Sequence, residues 1–164
     1  MIIIEQLHKV YYFFGKAFFL KERFMIRKFR WSDLEDILGI EKRAFPKSPY
    51  NRFTFLFYAS AYRDNFLVYV HEDKGKGLNK IAGYIIFYLG GHIVSIAVHP
   101  AYRRRGIGTE LVGEVLKRTK GNASVEVRES NEVAKEFYKH LGFSLQSIIP
   151  KYYGDEDALL MIRK

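Results

Sequence analysis

The 164 residues suffice for one domain with its own core, and a composition that is 48% apolar and 16% aromatic says that core forms without staples. There is no cysteine, which excludes disulfides, thiolate metal sites and a cysteine nucleophile; nothing calls for an oxidising compartment, so a cytoplasmic location is expected. A formal charge of +9 points to acidic partners (nucleic acid, an anionic membrane or a phosphorylated cofactor) or to an ordinary solvated basic surface.

Residues 1–24 read as an extension. Ile3, Leu7, Val10, Phe14 and Phe18 fall on one helical stripe, which predicts a helix that docks on the domain or pairs two copies into a homodimer. Glu5, His8, Lys9 and Lys16 interrupt the apolar run, so neither a membrane span nor a signal peptide is expected. Residues 25–164 read as the functional domain, with Met25 an alternative start. Met25 to Phe29 alternates as a first strand. Ser32-x-x-Glu35 has the form of a capping box and opens a helix to about Ala44. Pro46 and Pro49 break the chain, and Arg52 to Tyr62 is a second helix. Phe66 to Val70 is a strand, and 74–79 is a polar turn. Ile81 to Leu89 and Ile93 to Val98 pair across Gly90-Gly91. A helix from Gly106 to about Thr119, a strand from Val125 to Arg128 and a helix from Asn131 to Leu141, ended by Gly142, follow. Phe143 to Ile149 and Ala158 to Ile162 close the sheet. The order βααβββαβαββ predicts an α/β layered domain with a mostly antiparallel sheet.

The segment Val98 to Thr109, Val-His-Pro-Ala-Tyr-Arg-Arg-Arg-Gly-Ile-Gly-Thr, joins an apolar strand to a helix. Its glycines allow a bend that aims backbone N–H groups at one point, and the helix N-terminus adds positive field there. A ligand can approach the glycines because no Cβ stands in the way. The bend is therefore read as a pyrophosphate or polyphosphate site. Residue 111 is leucine, so a dinucleotide-binding fingerprint fails, and no Gly-Lys-Ser/Thr follows to make a Walker loop.

Together with the stretches downstream, this segment resembles the GNAT superfamily of acetyl-CoA-dependent N-acetyltransferases. The family's Arg/Gln-x-x-Gly-x-Gly/Ala loop is matched by Arg103-Arg104-Arg105-Gly106-Ile107-Gly108. The likeness continues through Glu126 to Asn131, Phe137 to Phe143 and Pro150 to Ala158. The last string is similar to the N-terminal protein acetyltransferases, both the RimI type and the catalytic subunits of the eukaryotic and archaeal enzymes. The resemblance implies a GNAT fold, with a V-shaped splay between the fourth and fifth strands of the domain and helices on both faces. It implies that acetyl-CoA lays its pantetheine arm along Ile96, Ala97 and Val98. The backbone from Arg104 to Thr109 (Arg105, Gly106, Ile107, Gly108) would then hold the pyrophosphate, and one or two of Arg103, Arg104 and Arg105 would reach phosphates. Asn131, otherwise a good helix cap, would also touch the cofactor arm.

Acetyl transfer needs a neutral amine, a polarised carbonyl and a proton for the leaving thiolate. Without cysteine, direct attack in a ternary complex is expected, with a backbone N–H such as that of Val98 on the carbonyl oxygen. Tyr138 matches the family's general acid and lies beside the cofactor; a core tyrosine is the plain alternative. Glu126 alternates with the apolar Val125 and Val127, so it faces the other way, and the RimI type places a glutamate base here. A water-mediated base and an ordinary solvated strand glutamate are alternatives. Phe45, Tyr50, Tyr152 and Tyr153 stand where the family binds the first residues of its peptide. The chain departs from the pattern after Pro46, where Lys47 and Ser48 replace a glutamate found in some relatives, so the base role falls more heavily on Glu126. His92, His99 and His140 lack metal-ligand spacing, so surface or turn roles are expected for all three, and no metal is expected.

Three functions compete. The first is an enzyme that acetylates protein N-terminal α-amines, a ribosomal-protein terminus or ribosome-bound chain included. The second is an enzyme for a small amine such as a polyamine or amino sugar. The third is a non-enzymatic basic RNA- or ribosome-binding module.

Overall fold

The computed structural model describes residues 12–13, 16–17, 22–73 and 78–164. Its strands are β1 (Tyr12–Phe13), β2 (Lys16–Ala17), β3 (Glu22–Lys28), β4 (Phe66–Asp73), β5 (Leu78–Phe87), β6 (His92–Val98), β7 (Ala123–Arg128), β8 (Ser144–Ile149) and β9 (Ala158–Arg163). Its helices are α1 (Leu34–Ala44), α2 (Arg52–Ala61), α3 (Ile107–Arg118) and α4 (Glu132–His140). From β3 onward the order of elements is the predicted one. The described part of residues 1–24 does not follow the helical expectation. There β1 and β2 pair with each other, antiparallel, and β3 begins three residues ahead of Met25. The remainder of that stretch, and with it the stripe of Ile3, Leu7, Val10, Phe14 and Phe18, lies outside the described residues.

Seven strands make one sheet in the order β3-β4-β5-β6-β7-β9-β8. Its pairings are antiparallel except β6–β7, which is parallel. That exception shapes the molecule. β6 and β7 pair through His92↔Ser124 and Ile93↔Val125 and then diverge. Past Ile93, β6 keeps its ladder with β5, and β7 keeps its ladder with β9. The result is a V with its apex at His92 and Ile93 and its mouth at Val98.

Alternation along the strands sends apolar side chains to both faces of the sheet, and each face has its own core. On one, Ile85, Ile93, Val125 and Val127 meet Ile107, Leu111, Val112 and Val115 of α3 and Tyr138 of α4. On the other, Val68, Val70, Tyr84 and Ile86 meet Leu34, Ile37 and Ile40 of α1 and Phe55 of α2. Each large apolar side chain fully withdrawn from water contributes roughly 1.5–3 kcal/mol, so both helical layers are held firmly to the sheet.

Local signals explain the element ends. Asn51 caps α2 by accepting the Thr54 N–H at 3.0 Å. At α1 the expected Ser32/Glu35 box does not form. The buried Asp33 accepts the Arg30 N–H at 2.8 Å and grips Arg27 with both oxygens, while Glu35 pairs with Arg52. Gly91 turns the β5–β6 hairpin at φ +85°, and a Cβ there would lie 2.3 Å from the Asn122 carbonyl oxygen, so only glycine fits.

Candidate active site at the splayed strands

The bend between β6 and α3 is built by backbone conformation. Arg104 (φ +62°) and Gly106 (φ +81°) both sit in the left-handed region, and α3 starts directly after Gly106. Arg103 ties the bend back to its strand, donating from Nε to the Val98 carbonyl at 3.1 Å. Arg105 lies over the Tyr102 ring. Glu110 N–H closes the first helical turn onto Gly106. Among the described residues no acceptor takes the amides from Arg104 to Thr109. They converge at the N-terminus of a three-turn helix, where backbone donors and helix dipole both favour an anion.

The two glycines of this bend serve different ends. Gly106 holds the positive φ, and a Cβ on it would meet nothing within 4 Å. Gly108 makes room for a neighbour: a Cβ there would lie 3.2 and 3.3 Å from ring atoms of Phe137, and its absence lets α3 and α4 approach. The Ile107 side chain is buried in the core, so only its amide faces the bend.

The strand leading to the bend offers further donors. His99 N–H donates to the Ala82 carbonyl across the β5–β6 ladder. Alternation in an antiparallel ladder then turns the amides of Val98 and Ile96 the other way, into the V. Asn131 caps α4 by accepting the Ala134 N–H at 3.0 Å, which leaves its amide NH2 for another partner.

Tyr138 and Glu126 lie on opposite faces of the sheet. Tyr138 belongs to the α3–α4 side, 4% exposed, packed edge-on against Phe137 and Phe143. Burial, then the nearby Tyr153, pushes its hydroxyl well above the ordinary phenol value. It therefore stays protonated throughout the physiological range. Glu126 projects from β7 to the α1–α2 side, because Val125 and Val127 fill the core behind it. Its Oε2 lies 3.3 Å from His92 Nε2 at the apex of the V.

Around Glu126 the α1–α2 side is lined by aromatic rings. Tyr50 and Tyr58 are 5.9 Å apart, Tyr58 and Tyr62 6.0 Å, and Tyr62 and Tyr88 4.7 Å; Tyr88 stacks on His92 at 5.3 Å. From the β8–β9 loop Tyr152 comes within electrostatic reach of both Glu126 and Tyr58; these, after burial, raise its hydroxyl above the usual range. Tyr153 anchors that loop. Its hydroxyl donates to the Glu126 carbonyl at 3.2 Å, and its ring carries Arg128 at 4.1 Å. Arg128 in turn binds Asp155 and Glu156, and Asp157 accepts the Lys151 N–H. Phe45 closes α1 and packs on the core of this face.

Behind the aromatic wall stands a group the sequence did not flag. Glu41 is buried on α1, where Oε1 accepts the Tyr50 N–H at 2.9 Å and Oε2 takes the Tyr84 hydroxyl. Tyr84 also meets Ser95 Oγ of β6 at 3.0 Å. Desolvation raises the Glu41 carboxyl, against the pull of its hydrogen bonds. Glu41 thus ties the α1–α2 loop to β5 and β6. Tyr58, Tyr62 and Tyr88 were missed as well, and His92 was read as a surface or turn residue. Single aromatic positions carry no pairing signal; the placement of His92 opposite β7 is a tertiary fact. Among the described residues no three His, Asp or Glu side chains gather as metal ligands, and no helix is long and apolar enough to cross a membrane.

The site thus combines a parted parallel strand pair, free backbone amides at the bend beyond its mouth, and Tyr138 and Glu126 on opposite faces of the sheet. The sequence of residues 30–143 matches the acetyltransferase (GNAT) family, and the chain belongs to that family. It is similar to an uncharacterized N-acetyltransferase of Methanocaldococcus jannaschii, 39% identical over 150 residues that span 85% of this chain and 91% of that one. It is 34% identical over 155 residues to an N-alpha-acetyltransferase of Sulfurisphaera tokodaii, spanning 85% and 92%. Among solved structures, the ribosomal-protein-S18-alanine N-acetyltransferase from Escherichia coli superposes with a TM-score of 0.67 at 32% identity, covering 85% of this chain and 92% of that one. The protein is an N-acetyltransferase.

Proposed function

We propose that this chain transfers the acetyl group of acetyl-CoA to the N-terminal α-amine of a protein or peptide, by direct attack and in the cytoplasm, with a ribosomal protein among the candidate acceptors. The observation that carries this reading is the division of the V between its faces. Free backbone amides and Tyr138 stand on one side, and Glu126 stands under an aromatic wall on the other.

The cofactor fits the residues present. The amides from Arg104 to Thr109, with the guanidinium groups of the bend, suit a pyrophosphate. The inward amides of Ile96 and Val98 suit the amide groups of a pantetheine arm, as an added strand would. When bound, acetyl-CoA supplies the activated acyl group. On this reading the Val98 N–H polarises the carbonyl oxygen, and the Tyr138 hydroxyl protonates the leaving sulfur. Glu126, on the opposite face, takes the proton that the amine must lose.

The acceptor side favours a peptide. A polyamine site would present several solvated carboxylates, whereas here Glu126 is held by His92 and Glu41 is turned into the core. The wall offers rings and phenolic hydroxyls suited to a short stretch of main chain. The 34% identity to a named N-alpha-acetyltransferase supports the same reading. An α-amine, near pKa ~8, also asks less of the base than a lysine near ~10.4.

Peptides that carry an internal lysine, with the α-amine free or blocked, test the proposal when incubated with acetyl-CoA and read by mass spectrometry. Acetylation of the free α-amine alone is expected. Modification of the lysine, or of spermidine in preference to peptide, would contradict it.

A further inference from the structure

The far flank of α2 carries a cleft that acetyl transfer does not use. Tyr58 and Tyr62 turn toward Tyr88 and the V. Ala59, Ser60 and, just past the helix end, Arg63 instead face the link between β3 and α1. With Phe29, Arg30 and Trp31 of that link they line an open cleft of about 440 Å³. Ring packing fixes its wall. Phe29 stacks on the buried Phe66 at 4.4 Å and meets Trp31 nearly at a right angle, 5.5 Å away. Trp31 is held in this way and yet is 64% exposed, an uncommon setting for so large a ring. One and two turns back along α2 from Ser60, Phe57 and Phe53 are 62% and 78% exposed.

The cations around the cleft divide in two. Asp33 neutralises Arg27, Asp64 neutralises Lys28 and Glu35 neutralises Arg52. Arg30 and Arg63 are the two that line the cleft, and their side chains make no hydrogen bond or ion pair among the described residues. Asp64 feels Arg63 at a distance, but Lys28 takes its carboxylate at 2.6 Å. No carboxylate is among the residues that line the cleft, and Ser60 adds a hydroxyl.

We propose that this cleft binds single-stranded nucleic acid, with one base against Trp31 and the flanking phosphates on Arg30 and Arg63. An indole face stacks on any base, and a guanidinium meets phosphate oxygens with two parallel N–H groups. Phe57 and Phe53 extend the stacking surface to neighbouring bases. In a duplex the base faces are already covered, so the single strand is the form that fits. The net charge of +9 draws a polyanion toward the surface. A protein helix would want a continuous apolar strip, whereas here two guanidinium groups and a hydroxyl stand among the rings. The cleft lies across α2 from the tyrosine wall, so it is independent of which amine is acetylated.

Trp31 is the one tryptophan of the chain, so its fluorescence reports on the cleft. The full chain is titrated with short oligouridylate and oligothymidylate from about 50 to 200 mM salt. Excess coenzyme A keeps these probes off the bend at Arg103 to Arg105. Either strand should quench Trp31, and the same strand annealed to its complement should not. Arg30→Gln with Arg63→Gln should flatten the slope of log K against log salt by about 1.4, two phosphates at about 0.7 each. Trp31→Leu, read by anisotropy of labelled oligouridylate, should weaken binding about 5- to 100-fold, and Trp31→Tyr should recover most of it. All these positions are exposed, so each variant should keep the wild-type Tm and its rate of peptide acetylation. Unquenched Trp31, equal quenching by duplex, or binding that Trp31→Leu leaves intact would overturn the proposal. So would a response of Trp31 to phosphatidylglycerol vesicles, or to self-association seen by sedimentation, that the oligonucleotides do not match. Failure to acetylate any peptide would count against the proposed function and leave the oligonucleotide result standing.

Discussion

The two halves of the V are built by different means. The half proposed for the donor is main chain: amides from Arg104 to Thr109 at a helix start, and the inward amides of Ile96 and Val98. It comes from one continuous stretch, and its shape depends on two left-handed residues and one close helix approach. The half proposed for the acceptor is side chain, gathered from α1, α2, the β5–β6 turn, β6, β7 and the β8–β9 loop. It depends on buried ties, Glu41 to Tyr50 and Tyr84 on one flank and Tyr153 to Glu126 on the other. A contiguous main-chain site tolerates change around it, whereas an assembled side-chain site is exposed to change in any of its supports.

The largest expected effect separates the faces through chemistry. Glu126→Gln and Tyr138→Phe should each lower kcat by about 10²–10⁴-fold, the usual range for an acid or base. Acetyl-CoA affinity by calorimetry should stay nearly constant in both. Because burial holds the Tyr138 hydroxyl above its ordinary value, its ionisation should cost no activity below pH 10. Weakened acetyl-CoA binding in Glu126→Gln would break the separation of faces.

Gly106→Val tests the donor half. A β-branched residue at φ +81° costs about 1–3 kcal/mol of backbone strain, with open space around the new side chain. The strain should appear as roughly 5- to 100-fold weaker acetyl-CoA binding, with the Tm of the free protein lowered less than that of the complex. Unchanged affinity would remove the bend from the site. Glu41→Ala probes the acceptor half. It strands the Tyr50 N–H, a loss of about 1–3 kcal/mol in denaturant stability, and leaves the Tyr84 hydroxyl with Ser95 alone. It should raise KM for peptide more than KM for acetyl-CoA, and Glu41→Gln should recover part of both.

The smallest effect concerns acid. Hydrogen bonds from Ser130 first, and then Arg128, hold the Glu156 carboxyl down at about 2. A group depressed on folding adds stability above its unfolded value, and that stability is lost as pH falls toward the folded one. Wild type should therefore lose more stability than Glu156→Gln between pH 5 and pH 2, and the β8–β9 loop that carries Tyr152 should loosen first. Parallel curves would show that Glu156 does not secure the loop.

The same contrast explains what the sequence disclosed. The donor half was legible because its residues are consecutive: Arg103 to Gly108 name a bend, and the runs on either side name a strand and a helix. Periodicity recovered the order of elements from β3 on, and alternation turned Glu126 away from Val125 and Val127. What stayed hidden depends on distance in the chain. Nothing near Gly108 says that its missing Cβ accommodates Phe137, and nothing near Glu41 says that it will meet Tyr84. His92 looked like a turn residue because its partner is more than thirty positions away. The stripe at Ile3, Leu7 and Val10 favoured a helix, yet Tyr12–Phe13 and Lys16–Ala17 of the same stretch are strands. A stripe that is aromatic nearly all round suits either state.

The central claim is that the V opens to the donor through its main chain, and amide-resolved NMR during titration with acetyl-CoA tests it most directly. The account predicts large shifts at Arg104 to Thr109 and at Ile96 and Val98, with the rings of Tyr58 and Tyr88 nearly undisturbed. Shifts confined to the tyrosine-lined face, with the bend amides unmoved, would contradict it.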